Sequence, residues 1–358
     1  MMLKTKIPTT TIGSFPKPTY LPIRDWFDSA REKDGMNTEK TTLEFTRYQE
    51  ERSHHDEELF LKAAKDIINM QENAGIDIVT DGEVRRENYV HYHCRHLNGF
   101  DFQTLEHRIV RGGAYQTKLP AIRSKIKHVG NYYAAHDFSS SQSMTNKPVK
   151  FTLPGPLTMM DTNADCFYNN RINLNIDLAD TLNKEISQLV ESGCKYIQID
   201  EPLFARQVED AISFGIDGIE RCFHKIPDSV TKIVHICCGY TDKLDDENYI
   251  KADPKSYLAL ANDLNTMKID QISIEDAHFK NDLALLDKLA NKKIIFGVLN
   301  VTRSRIESTE EIRLRISEVL NHIDRERLIV SPDCGLGLLS ASQAEQKLQA
   351  MCRAVLDS

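Results

Sequence analysis

The strongest constraint in this sequence is an alternation between two hydrophobic periods. Short runs rich in β-branched and apolar residues recur at Thr9–Phe15, Asp77–Glu83, Val149–Leu153, Tyr196–Asp200, Lys232–Cys237, Gln271–Glu275, Ile294–Val301 and Leu328–Asp333. Between most of them lie amphipathic stretches of helical period, at Asp177–Ser192, Gly218–Ile226, Pro254–Leu264, Lys280–Leu289, Ser308–Asn321 and Ser342–Leu356. A parallel strand returns to its sheet only through a crossover of a dozen or more residues, so strands separated by helices predict βα units around a parallel sheet. Eight such runs predict class α/β and a closed (β/α)8 barrel, the TIM-barrel architecture.

Two segments exceed the minimal unit. Helical patterns at Asp25–Arg31 and Thr41–Asn73 elaborate the first βα unit. Between the second and third runs, Arg108–Asn131 carries Gly112-Gly113 within alternating residues and predicts a hairpin-like insertion after strand 2. No Pro/Ser-rich linker or shift of composition divides the chain, so residues 1–358 are expected to form a single domain. The 53 acidic residues outnumber 45 Lys and Arg, for a formal charge of −8, which argues against a nucleic-acid partner. No stretch approaches the roughly 18–20 apolar residues that cross a bilayer, and the amino terminus lacks the apolar core of a secretory leader. The expected location is cytoplasmic, with no membrane partner, and the eight cysteines, which show no disulfide spacing, are expected as thiols.

The chemistry lies in how the runs end. Ser14, Glu83, Asp200, His235 with Cys237, Glu275 and Cys334 close six of the eight. In a (β/α) barrel the carboxyl ends of the strands face one mouth, where sites are built, so residues far apart in sequence can converge there. His235 and Cys237 stand two apart on one strand and share a face. With Glu275 and Cys334 they make a set of four ligands suited to tetrahedral zinc, since thiolates select against calcium and magnesium and the mixed set fits no iron–sulfur cluster. Asp200-Glu201-Pro202 ends its strand at a proline and turns one carboxylate toward the mouth, and Asp81-Gly82-Glu83 offers Glu83 after a glycine turn. Two carboxylates at one mouth suit a substrate ammonium.

Seven short motifs in this order resemble the catalytic half of cobalamin-independent methionine synthase, over nearly the whole chain. They are Thr10-Thr11-Ile12-Gly13-Ser14-Phe15-Pro16, Asp81-Gly82-Glu83, Gly155-Pro156-Leu157-Thr158, Ile197-Gln198-Ile199-Asp200-Glu201-Pro202, His235-Ile236-Cys237, Ile272-Ser273-Ile274-Glu275 and Pro332-Asp333-Cys334-Gly335-Leu336. The resemblance implies Zn2+ on His235, Cys237, Glu275 and Cys334, the set reached above from strand ends. It further implies homocysteine methylated to methionine, its carboxylate held by Ile12, Gly13 and Ser14 and its ammonium by Glu83 and Asp200.

The sequence departs from the family on the side of the methyl donor. It reads as a single-barrel form without the family's amino-terminal half. Thr302 stands where the family has a histidine that serves the folate leaving group, and a threonine is a poor general acid. The sole tryptophan, Trp26, lies away from the position that stacks on the pterin. The expected donor is therefore either methyl-tetrahydrofolate or a methylcorrinoid, the latter with an accessory corrinoid protein. Two other readings compete. A related zinc alkylthiol transferase joining an epoxide to coenzyme M would have no amine for Glu83 and Asp200 to meet. A non-catalytic zinc or corrinoid-docking module would saturate its metal with protein ligands.

Overall fold

The computed structural model describes residues 6–24, 27, 38–110, 115–241, 243–249, 251–253 and 255–358. Its nine strands are β1 (Leu97–Val110), β2 (Tyr115–His128), β3 (Lys150–Pro154), β4 (Ala164–Asp165), β5 (Tyr196–Asp200), β6 (Thr231–Ile236), β7 (Gln271–Ile274), β8 (Lys293–Leu299) and β9 (Leu328–Pro332). Six of them form one parallel sheet in the order β3-β5-β6-β7-β8-β9, so each strand lies beside the next in sequence. Parallel neighbours of this kind require crossover connections, which the intervening helices supply. Isolated parallel bridges continue the sheet past its edges: Thr9 pairs with Val330 of β9, Thr10 with Ile78, and Val79 with Val149. The first two expected strands thus join through single bridges rather than full ladders.

Alternation along each strand sorts its residues between two cores. On β6, Val234 and Ile236 pack in the main hydrophobic core, whereas Ile233 joins Ile12, Ile295 and Ile329 in a small separate cluster. His235 and Cys237 share the face of Ile233, so this cluster is the floor beneath them.

The segment between the first two bridges is two helices, not the single Thr41–Asn73 expected. They are Thr38–Glu51 and His54–Ala74, and they break at Ser53, whose N–H and hydroxyl both donate to the Asp56 carboxylate at 3.1 Å. Such a cap starts a new helix by satisfying its first free donors. Asp25–Arg31 lies outside the described residues apart from Phe27, and Trp26 is among those not described. The helix expected at Lys280–Leu289 shortens to Ala284–Lys288, because Asn281 is captured before it: its N–H donates to Asp276 Oδ1 and its amide to the Glu275 carbonyl, at 2.8 and 2.6 Å.

The antiparallel pair β1 and β2 runs from Leu97 opposite His128 to Val110 opposite Tyr115, with the Gly112-Gly113 connection outside the described residues. It begins well before the expected Arg108, since irregularities at Asn98/Phe100 and Asp101/Glu106 interrupt the two-residue period that would reveal it. β4 extends it in parallel through Ala121–Ala164 and Ile122–Asp165. No helix among the described residues is long and apolar enough to cross a membrane.

The carboxyl-terminal helix, Ala341–Leu356, is tied to the loop after β8 by a buried ion pair. Lys347, with no exposure, donates to both Glu307 oxygens at 3.0 and 2.8 Å and to the carbonyls of Asn300 and Arg305. Removing one partner leaves a buried uncompensated charge. Lys347→Met is therefore expected to lower unfolding free energy by about 3–5 kcal/mol, measured by urea denaturation.

Candidate functional site

His235, Cys237 and Cys334 meet at the ends of β6 and β9. Each offers one ligand atom, and the three atoms lie within 4.8 Å of one another. His235 Nε2 stands 3.5 Å from Cys334 Sγ, while Nδ1 lies 2.8 Å from the Ser273 hydroxyl on β7. A partner on one ring nitrogen fixes the ring and leaves the other free to coordinate, which is the usual support of a metal-binding histidine. The contact with Cys334 holds Cys237 well below the ordinary thiol range against burial, with His235 helping, and the same contact together with burial holds Cys334 well above it. Neighbouring groups thus favour a thiolate, the form that binds metals.

Glu275 is buried nearby but does not join the three at that spacing. Its Oε2 accepts from Lys251 Nζ at 2.7 Å and from the Cys238 N–H at 3.2 Å, whereas Oε1 is buried with no hydrogen-bond partner. Burial pushes its carboxyl up to about 8, with Lys251 pulling the other way. A buried acceptor without a donor is costly and rare in a finished site. A cation bound by His235, Cys237 and Cys334 would meet that need, so the donor set and the orphaned oxygen together fit a metal.

Glu83 and Asp200 line the same cavity as the three ligands, a space of about 1660 Å³ that Ile12, Gly13 and Ser14 also line. Glu275 and Thr302 are not among its lining residues. Glu83 sits at φ 56°, directly after Gly82 at φ 71°, a left-handed pair that turns the chain sharply. Its Oε1 accepts from Thr152 Oγ1 at 2.8 Å and Arg86 at 3.2 Å. Gly13 permits this placement, since a Cβ there would strike Glu83 Oε1. Asp200 accepts from Gln198 Nε2 at 2.6 Å, and burial pushes its carboxyl up to about 7, with His235 pulling down and Glu83 adding to the rise.

Of the paired acids at the end of β5, Asp200 faces the cavity and Glu201 turns away. Glu201 accepts from the Thr158 hydroxyl and the Leu157 N–H, bracing the Pro154-Gly155-Pro156 corner. Thr302 is buried, its hydroxyl donating to Asn300 Oδ1 at 2.8 Å and lying 3.1 Å from His278 Nδ1. The loop that carries His278 is held through Asp333, which accepts the N–H groups of Asp276, Ala277 and His278 at 2.7–2.9 Å. His91 and His93, equally buried, face Thr162 O and Tyr133 OH and do not enter the metal cluster. Sequence reasoning missed Arg86, Lys251 and Ser273. Only Ser273 carried a signal, its place two residues before Glu275 on one strand face.

Known proteins resemble this chain closely. Residues 7–211 and 250–356 match the family described as the catalytic domain of cobalamin-independent synthase. A methionine synthase of Saccharolobus islandicus (strain Y.G.57.14 / Yellowstone #1) is 32% identical over 348 residues, covering 96% of this chain and 92% of its own. One from Sulfolobus acidocaldarius is 31% identical over 353 residues, covering 98% and 92%. Among solved structures, a B12-independent methionine synthase from Shewanella sp. W3-18-1 in complex with selenomethionine superposes with a TM-score of 0.84 at 27% identity, over 99% of this chain and 98% of that one. The chain belongs to the cobalamin-independent methionine synthase family.

Proposed function

We propose that this protein is a zinc-dependent methyltransferase that methylates the thiol of homocysteine to form methionine, with Zn2+ as cofactor. The observation that carries this reading is one cavity that holds both a His/Cys/Cys cluster and two buried carboxylates. The bridges Thr9–Val330, Thr10–Ile78 and Val79–Val149 support closure of the sheet into one eight-stranded barrel spanning residues 1–358. Eight free thiols fit a cytoplasmic location.

His235, Cys237 and Cys334 would hold the zinc, with Glu275 as fourth ligand through its unpartnered Oε1. Bound zinc would lower the pKa of a coordinated thiol and so supply the nucleophile that methyl transfer needs. The chain's own residues orient the amino acid. Glu83, its Oε1 held by Arg86 and Thr152, and Asp200, held by Gln198, receive the ammonium. The backbone of Ile12, Gly13 and Ser14 takes the carboxylate. Anchoring both ends of the substrate fixes where its thiol lies, which converts an encounter into an oriented reaction.

The presence of two carboxylates favours an amino-acid thiol over coenzyme M, which has no amine. On the donor side, the Thr302 hydroxyl donates to Asn300 Oδ1, and the imidazole of His278 stands 3.1 Å from it. The donor is either methyl-tetrahydrofolate or a methylcorrinoid, the latter carried by an accessory protein.

Zinc-loaded protein offered homocysteine with methylcobalamin or 5-methyltetrahydrofolate in parallel tests the reading; methionine from one donor supports it and names that donor. Cys334→Ser is expected to abolish tight zinc binding, read by metal analysis after dialysis, and to abolish methyl transfer with the far-ultraviolet circular dichroism unchanged. Full activity in that variant would sink the zinc assignment. Asp200→Asn is expected to retain zinc and raise the homocysteine KM about ten- to hundredfold, the loss of one charged hydrogen bond. Unchanged kinetics would remove Asp200 from the amine site.

A further inference from the structure

One buried charge remains unused by this reading. Lys150 opens β3, is 1% exposed, and its Nζ has no hydrogen-bond partner. It shares a face of β3 with Thr152, whose hydroxyl reaches Glu83. In the parallel register Lys150 lies opposite Tyr196, Thr152 opposite Gln198 and Pro154 opposite Asp200, so Lys150 stands below Asp200 on the neighbouring strand. Between those levels Gln198 donates to Asp200 Oδ1 at 2.6 Å and to the Ile12 carbonyl at 2.9 Å, and its Oε1 is buried without a partner.

An ammonium buried without an acceptor is among the costliest placements in a protein, and a methionine of similar length would fill the same space without that cost. Burial therefore favours the neutral amine unless a charge nearby compensates the ammonium through space. Burial draws Lys150 down to about 7, and Asp200 is the group that opposes the fall. The relation is mutual, since Lys150 is among the groups that pull Asp200 down. Glu83 already has a cation on its own oxygen, Arg86. Asp200 has no ion pair at hydrogen-bonding distance among the described residues; the charges that favour its ionised form through space are His235, which the zinc reading commits to the metal, and then Lys150 from below.

We propose that Lys150 is a specificity-determining positioning residue, a buried countercharge beneath Asp200 that equips the pocket to select ligands bearing an ammonium. The inference rests on the reading of Glu83 and Asp200 as the ammonium partners. With Arg86 behind one carboxylate and Lys150 beneath the other, two like charges can face one ligand in a dry pocket, and a zwitterionic amino acid enters as a ligand with no net charge.

Titration calorimetry of the zinc-loaded protein with homocysteine and with 4-mercaptobutanoate tests this, because the two share thiol and carboxylate and differ in the amine. The wild-type protein is expected to prefer homocysteine. Lys150→Met is expected to weaken homocysteine about ten- to hundredfold and 4-mercaptobutanoate by less than roughly twofold, with the melting temperature unchanged or raised. In an Asp200→Asn background the same substitution is expected to add no further loss. A wild-type protein without preference would overturn the ammonium reading and this inference with it. Preference retained in Lys150→Met would overturn the inference alone, as would equal losses for both thiols or a lowered melting temperature, either of which assigns Lys150 to packing.

Discussion

The parallel pairing of β5, β6 and β7 sets Asp200 opposite His235 and His235 opposite Ser273, a row of polar residues across three strands. One step farther out, the same period brings Cys237 and Glu275 to the sheet's carboxyl edge. Beneath the row, Ile233 lies two residues before His235 and packs with Ile12, Ile295 and Ile329. The apolar floor, the Asp200, His235 and Ser273 row and the Cys237 and Glu275 edge are thus successive levels of one register. A slip of one residue in β6 would turn His235 and Cys237 into the main core and bring Val234 and Ile236 to the cavity.

That arrangement concentrates charge where water is scarce, and the structure answers each carboxylate with a cation or a set of donors. Glu83 has Arg86 and Thr152, Glu275 has Lys251 and the Cys238 N–H, and Asp333 has three backbone N–H groups. Each partner takes specific oxygens and so determines which remain. Lys251 occupies Oε2 of Glu275 and leaves Oε1 free, and Arg86 with Thr152 occupies Oε1 of Glu83. Buried ion pairs contribute little net stability, so these contacts are better understood as fixing orientation.

This division explains what could be read in advance. Strand-end residues were legible because a barrel converts their position in a local pattern into a position in space: Asp200, His235, Cys237 and Cys334 all reach one cavity. The compensating cations were not, because Arg86, Lys251 and Lys150 resemble ordinary surface residues until the neighbour that needs them is known. The β1–β2 pair was legible only near its turn, where alternation is regular, since bulges near Gly99 and between Asp101 and Glu106 hide its beginning. The break at Ser53 did have a sequence signal, a serine followed three residues later by Asp56, but the continuous charged pattern of Thr41–Asn73 outweighed it.

The two halves of the cavity differ in construction. The end that holds Glu83, Asp200 and the His235, Cys237 and Cys334 cluster is built on strand termini. Its outer part draws on Arg108, Thr117 and Lys118 of the antiparallel pair, and on the helices Leu203–Arg206 and Val208–Asp210. The pair is held to the body by polar contacts, among them Lys118 to Glu39 at 2.8 Å and the Ile126 N–H to the Tyr168 hydroxyl at 2.8 Å, and by Leu97, Phe102, Ile122 and Ile126 in the main core. A volume of about 1660 Å³ exceeds the roughly 300–1,000 Å³ of ordinary ligand pockets and far exceeds an amino acid. Under the proposed function, the strand-end part would seat the acceptor and the outer part would leave room for a large donor. Strand ends suit the first, because the sheet fixes their geometry, and the connecting segments that line the outer part suit the second, because a barrel varies them freely around a fixed frame.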